Sequence, residues 1–328
     1  MSIRRHTPVV FESLVADATM AASSHNTQPW RFEIGENLIR IVPDFTRRCP
    51  MVDTDDHHLY VSLGCAAENM VLAAASKGWV TVVEVRSSGD APWVEVMLHP
   101  GTPVASPLAD AIPRRQCTRA PYDGRQASVD DLLLLERAAS GKGVIPIMIT
   151  DKNRLATVAE FVAQGNTVQL RDPRWRKELI AWIRFNEREA RRTLDGLWSR
   201  TSGNPEMPRA LGELLLRVVL TPRAQNRKDV PWTKNSAGVV VFVSDVDDAA
   251  HWIEAGRCYE RFALQATVLG LRNAFINQPV EVATLRNQLA TWLGVGPRRP
   301  DLVVRFGYGP EMPKSFRRPV TDVLSAAG

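Results

Sequence analysis

The sequence predicts an α+β fold in which one unit is used twice. Two long helical patterns, residues 59–77 and 249–269, align without a gap. Gly64, Glu68, Leu72, Ala74 and Gly78 match Gly256, Glu260, Leu264, Ala266 and Gly270, all at one constant offset. Short strand patterns follow or precede each helix. A repeat of this length points to two copies of one unit packed about a pseudo-twofold axis.

At 328 residues the chain suits two modest domains or one large one. With 45% apolar and 23% charged residues its composition is that of an ordered globular protein. No apolar run approaches the ~18 residues that a membrane helix needs. Arg4-Arg5 has the look of a twin-arginine export signal, but the apolar stretch behind it ends at Glu12. A cytoplasmic location with no membrane partner is therefore expected. The four cysteines, Cys49, Cys65, Cys117 and Cys258, are widely spread and form no CxxC pair, which excludes an obvious zinc site or a disulfide framework and fits reduced thiols. The net charge of +5 is spread over arginine pairs at loop-like sites, Arg47-Arg48, Arg114-Arg115, Arg191-Arg192, Arg298-Arg299 and Arg317-Arg318. A nucleic-acid surface gathers such charge on one element, so none is expected; most of these pairs read as solvated surface and one or two as a phosphate grip.

In chain order, Phe11, Leu14, Val15 and Ala18 recur at helical spacing. Residues 31–34 and 38–42 alternate as strands about the turn Gly35-Glu36-Asn37. The run Asp53-Thr54-Asp55-Asp56-His57-His58 precedes the first long helix. Its acids read as helix-capping groups, and adjacent histidines at a helix start point in different directions, so no metal site is expected. Strand patterns follow at 80–85 and 93–98, then Pro100-Gly101-Thr102-Pro103 breaks the chain. Residues 130–139 and 155–169 are helical, 144–149 a strand. A longer basic helix carries Trp175, Leu179, Trp182, Ile183 and Asn186 on one face and ends near Asp195-Gly196. From 195 to 236 clear period is lost; this insertion, with Trp198, Trp232 and the apolar run 211–220, reads as a lid. Strands at 238–243 and 301–306 flank the second long helix. The tail, residues 307–328, holds three prolines, which exclude regular helix or central sheet.

The stretch Ala22-Ser23-Ser24-His25-Asn26-Thr27-Gln28-Pro29-Trp30 joins a helix to a strand, where binding groups are commonly placed. Two readings are open from the residues alone. One is a capped turn. The other is a site for a flat heteroaromatic ligand, in which the carboxamides of Asn26 and Gln28 match an edge that both donates and accepts. Trp30 reads as core. The run Ser-Ser-x-Asn-x-Gln-Pro-Trp from Ser23 to Trp30 closely resembles the nitroreductase-like FMN proteins, whose corresponding loop lies against the isoalloxazine ring.

The duplicated helix is similar to the central interface helix of those proteins, which are ordinarily homodimers with FMN between subunits. A chain holding it twice resembles the Acg-like branch. That resemblance implies a duplicated nitroreductase-like fold, with a mixed, mostly antiparallel sheet in each half packed on long central helices. Residues 1–107 and 108–328 would be the halves, and the chain a monomer acting as a pseudo-dimer.

The segment Pro113 to Tyr122 has two readings on composition, a solvated basic loop or an anion grip, because guanidinium forks pair with phosphate bidentately. It resembles the family's Arg-x-Ser-x-Arg/Lys motif. On that match Arg115, Gln116, Cys117 and Arg119 would hold the phosphate and ribityl end, with Cys117 where the family commonly has Ser. The resemblance also carries Asn277, Gln278 and Pro279 to the flavin edge, and Ser315, Arg317 and Arg318 to the phosphate, Arg317 ahead of Arg318. The polar loop and the cationic segment each occur once, so one composite site is expected, its cofactor-binding set completed by Ser23, Ser24, His25, Asn26 and Gln28.

The resemblance implies FMN-dependent transfer of hydride from NAD(P)H to a small electrophilic acceptor such as a nitroaromatic or a quinone. The flavin would carry that chemistry, so no catalytic side chain is named. An alternative is flavin storage or sequestration beneath the lid, in keeping with the association of Acg-like proteins with dormancy and redox stress.

Overall fold

The computed structural model describes residues 7–88 and 91–325. The Arg4-Arg5 reading and the last three residues of the tail lie outside them. Helix α1 (Thr7–Thr19) runs into the polar loop, then β1 (Trp30–Ile34) and β2 (Leu38–Pro43) form a hairpin. Trp30 and Phe32 point into the core while Arg31 stays outside, as strand alternation requires. Helix α2 (His57–Ser76) is buried over almost its whole length. β3 (Trp79–Ser88) and β4 (Ala91–Pro100) complete the first sheet, and α3 (Pro107–Ala111) leads out of it.

The second part opens with α4 (Val129–Ala139), capped by Ser128, whose hydroxyl accepts the Asp131 N–H at 3.1 Å. β5 (Val144–Ile149) and α5 (Lys152–Arg171) follow. The single long basic helix expected next is broken. It becomes α6 (Pro173–Trp182), a two-residue strand β6 (Ile183–Arg184) and α7 (Glu187–Thr193). Asn186 is the reason: its side chain caps α7 by accepting the Glu189 N–H at 3.0 Å instead of standing on a helix face.

The insertion read as aperiodic is ordered. It holds β7 (Leu197–Trp198), parallel to β6, then α8 (Arg209–Val219) and α9 (Pro222–Lys234). Next come β8 (Gly238–Ser244), α10 (Ala249–Val268), β9 (Arg272–Phe275), α11 (Gln278–Glu281), α12 (Ala283–Leu293), β10 (Arg299–Gly307) and a last turn, α13 (Val320–Val323).

Two four-stranded sheets result, ordered β1-β2-β4-β3 and β5-β8-β10-β9, and every ladder within them is antiparallel. The orders are the same when strands are matched by their place before or after the long helix. Parallel character enters at isolated bridges on edge strands, Leu324 to Phe32 of β1 and Cys117 to Asn273 of β9. The fold is thus the duplicated α+β arrangement expected from the helix repeat. By length and composition alone α2 could cross a membrane, yet 78% of its apolar window is buried inside this protein.

The repeat is legible at the crossing of α2 and α10. A Cβ on Gly64 would run into the Ile253 carbonyl oxygen, and a Cβ on Gly256 into that of Val61. The four positions are related by the repeat offset, so the contact is reciprocal. The matched glutamates also do matched work. Glu68 takes Arg257 and Arg261, each at 2.9 Å, and Glu260 takes Arg115 at 2.8 Å.

Candidate functional site

The polar loop sits over the crossing because Glu260 of α10 accepts the Ala22 N–H at 3.3 Å. Three non-glycine residues within it, His25, Asn26 and Gln28, have φ of 49°, 55° and 54°. Left-handed backbone is costly there and persists because the surroundings hold it. Gln28 shows how: its N–H donates to Ser23 Oγ at 3.0 Å, its Nε2 donates to Leu194 O at 2.8 Å and Asn26 O at 3.3 Å, and its Oε1 accepts the Arg318 N–H at 2.8 Å.

Two cavities share the walls Ala22, Ser23, Arg119, Leu197 and Phe275. The larger, about 240 Å³, is lined further by Ser24, His25, His58, Asn277, Gln278 and Glu281, with Asn166 and Gln169 from α5. The smaller, about 60 Å³, takes Asn26, Arg115, Gln116, Cys117, Ser315 and Arg317, with Lys314. Four cationic side chains and no acid line that smaller cavity.

Most of the site residues expected from sequence therefore meet at one place, and some do not. Gln28 is off both walls; its carboxamide is spent on the lid root and the tail, so its expected match to a flavin edge is corrected. Asn26 reaches the smaller cavity, but its amide is also engaged, with Gly196 O at 3.2 Å, Phe316 O at 3.1 Å and Arg317 at 2.8 Å. Pro279 is buried at the start of α11 and faces neither cavity. Arg318 turns away to bond Asp322 O at 2.6 Å. Sequence reasoning passed over Lys314, His58, Asn166 and Glu281. Lys314 lay beside the flagged Ser315, and its charge was the available signal.

The four cations are not equivalent. Arg115 is buried, and although burial disfavours its charge, Glu260 beside it holds the guanidinium ionised. Its Nη1 has no partner. Burial lowers Arg317 to about 10, with the Arg115 charge adding to the effect, and its Nε is likewise unpartnered. Lys314 donates to Pro113 O at 2.7 Å. Arg119, on both walls, makes no hydrogen bond or ion pair among the described residues. Cys117 Sγ lies 3.5 Å from the Tyr259 hydroxyl, which donates to Asn273 Oδ1 at 3.0 Å. In the larger cavity, burial lowers His25 to about 4, so its imidazole is neutral near pH 7. Gln278 donates to Asn166 at 3.1 Å and leaves a buried Oε1 unpaired.

The lid segment closes over these walls. Leu197, Leu220 and Gln225 line the larger cavity. α9 is tied to α5 through Asn166, which donates to Asn226 and Asp229, both at 3.0 Å. The Asp195 carboxylate pairs with Arg47 and, at 2.6 Å, with Arg184.

Two proteins of Mycobacterium tuberculosis (strain ATCC 25618 / H37Rv) align with the chain nearly end to end. "Putative NAD(P)H nitroreductase Rv3131" is 27% identical over 323 residues, covering 94% of this chain and 88% of that one. "Putative NAD(P)H nitroreductase acg" is 23% identical over 342 residues, covering 96% and 95%. Over nearly its whole length the chain is similar to nitroreductase-like proteins of the Acg branch. No family model matches it. Among solved structures, a nitroreductase with bound FMN from Bacteroides fragilis aligns over 65% of this chain and 96% of its own length, at 15% identity and a TM-score of 0.40.

The expectation that adjacent histidines diverge is also corrected. His57 and His58 bring their Nδ1 atoms to 3.1 Å of each other. The cap itself is as expected in kind: Asp53 accepts the N–H groups of His58 and Leu59, both at 2.9 Å.

Proposed function

We propose that the paired cavities hold one FMN per chain and that the protein is an NAD(P)H-dependent oxidoreductase acting on small electrophilic acceptors such as nitroaromatics or quinones. The observation that carries this is the smaller cavity: four cations, no acid, and buried guanidinium donors without partners, beside a larger cavity walled by the polar loop. Such a surface fits a phosphate monoester, and the unpaired Gln278 Oε1 fits a ring that offers an N–H. When bound, FMN supplies hydride and electron transfer. Arg119, Arg317 and Lys314 would hold its phosphate, with Arg115 fixed behind them by Glu260. Ser23, Ser24, Gln278 and Asn277 would border the ring. The neutral His25 adds no charge there; the ring end keeps the Glu281 carboxylate and the phosphate end the four cations.

The reading treats residues 1–107 and 108–328 as the two nitroreductase-like halves of one monomer, with the Leu324–Phe32 bridge carrying the tail of the second onto the first. Flavin storage is the second reading, favoured by Leu197, Leu220 and Gln225 on the cavity wall, where nicotinamide would have to stack.

An absorbance spectrum of the purified protein, followed by anaerobic NADPH or NADH, tests both. Flavin bands that bleach promptly support turnover. Bands that persist under both nucleotides but bleach with dithionite support storage. A colourless protein that takes up no added FMN removes the proposal.

A further inference from the structure

The first turn of α2 holds a cluster that the flavin reading does not use. His57 Nε2 lies 2.9 Å from Asp301 Oδ1, and His58 Nε2 lies 3.5 Å from Glu281 Oε1. An ionised carboxylate accepts, and with both acids ionised each imidazole turns its Nε2–H outward and its Nδ1 inward. The inward atoms then face each other at 3.1 Å. Two lone pairs at that distance repel; a proton on one Nδ1 turns the contact into an N–H···N bond, and a metal ion bound with loss of that proton can bridge the same two atoms.

Asp53 supplies the third side. Its ligand atom and those of His57 and His58 all lie within 4.8 Å of one another, and all three residues are buried. Both Asp53 oxygens are fixed by backbone N–H groups, yet each keeps a lone pair. Two nitrogens 3.1 Å apart, each ~2.0–2.1 Å from one ion, subtend about 100°, close to the tetrahedral arrangement of zinc. Histidines that ligate through one nitrogen commonly donate the other to a carboxylate, which is the role Asp301 and Glu281 have here. Ser244 in turn hydrogen-bonds Asp301, and Gln169 donates to Glu281 at 2.6 Å, so the outer carboxylates are themselves oriented.

We propose that Asp53, His57 and His58 form a binding site for one divalent cation of the zinc class, with a fourth position left to water. Two imidazoles and one carboxylate favour zinc, cobalt or nickel over magnesium or calcium, which take oxygen ligands. His58 and Glu281 line the larger cavity, which gives the ion an entry path. The ligands come from α2 and the segment before it; the orienting acids come from α11 and β10. The ion therefore ties the N-terminus of α2 to the second sheet.

The test uses tag-free full-length chain dialysed against chelator, then titrated with Co²⁺ and separately with Zn²⁺. Expected results are one cobalt per chain with visible d–d bands and no thiolate charge-transfer band, reversal by chelator, and displacement by zinc. His57→Gln and His58→Gln, checked for folding by circular dichroism, each weaken binding at least tenfold. If those variants do not fold, two-bond ¹H–¹⁵N spectra of the zinc-loaded wild type decide, and show two imidazoles ligated through Nδ1. The proposal is overturned by a wild type that takes up no cation, by folded variants that bind as tightly as wild type, by a thiolate band, or by imidazole spectra unchanged by zinc.

Discussion

Asn26 and Gly196 clasp each other: the Gly196 N–H donates to Asn26 O at 3.2 Å, and Asn26 Nδ2 donates to Gly196 O at 3.2 Å. The root of the lid is thereby fastened to the loop that walls both cavities. Asn26→Ala removes one of the two bonds and also the Oδ1 contact to Arg317. The expected cost is on the order of 1–3 kcal/mol, read as a lower denaturant midpoint. If the storage reading holds, the same variant speeds flavin reduction by nucleotide, measured by anaerobic stopped flow; an unchanged rate removes the clasp from any gating role.

Arg119 has no hydrogen-bond or ion-pair partner among the described residues, so its replacement tests phosphate binding apart from folding. Arg119→Ala is expected to weaken FMN by roughly 10–100-fold, from the loss of a charge-assisted bond. Riboflavin, which lacks the phosphate, is expected to change by less than about threefold, a loss too small for a charge-assisted bond. Fluorescence titration of both ligands checks this, and thermal unfolding of the variant alone stays at the wild-type value. Equal losses for both ligands would place Arg119 elsewhere than at the phosphate.

Gly64→Ala forces a methyl into the Ile253 carbonyl. The two long helices must part, and a loss of at least about 1–3 kcal/mol follows from overpacking. Gly256→Ala does the same from the other side. Because the two clashes share one crossing, the double variant loses less than the sum, which a double-mutant cycle by chemical denaturation measures.

His25 sets a pH dependence. Its ordinary value of 6.5 applies to the unfolded chain, and in the fold burial lowers it to about 4. Between these values the unfolded chain binds a proton that the folded chain refuses. Its contribution is therefore full above pH 6.5, declines as pH falls toward 4, and is flat below that. The size is on the order of 1–3 kcal/mol. The unfolding free energy of wild type should fall relative to that of His25→Asn as pH drops from 7 to 4, and parallel profiles would show that the imidazole keeps its ordinary affinity for protons.

The long helices were legible because apolar and small residues recur at helical spacing through each and both patterns stop at a glycine, Gly78 and Gly270, with positive φ. The lid helices were not. α9 carries Pro231 within it and is mostly polar, whereas α8 does have an apolar stripe at helical spacing, Leu211, Leu214, Leu215, Val218 and Val219, which faces solvent instead of the core and reads in sequence only as an apolar run. At the site, residue type announced the loop and the arginines, but direction is a tertiary property. Gln28 and Arg318 were drawn inward or aside by partners more than 160 residues or only four residues away. His57 and His58 met because Asp301 and Glu281, from distant elements, turn both rings.

The glycine crossing of α2 on α10 has a further consequence, for how the molecule behaves at low abundance. The same crossing between two separate chains comes apart on dilution. Here the connecting polypeptide makes the contact intramolecular, so it does not depend on the amount of protein. Neither half then has to remain a competent partner for an identical copy. Each is then free to differ from the other, as the polar loop of the first part and the cationic segment of the second do.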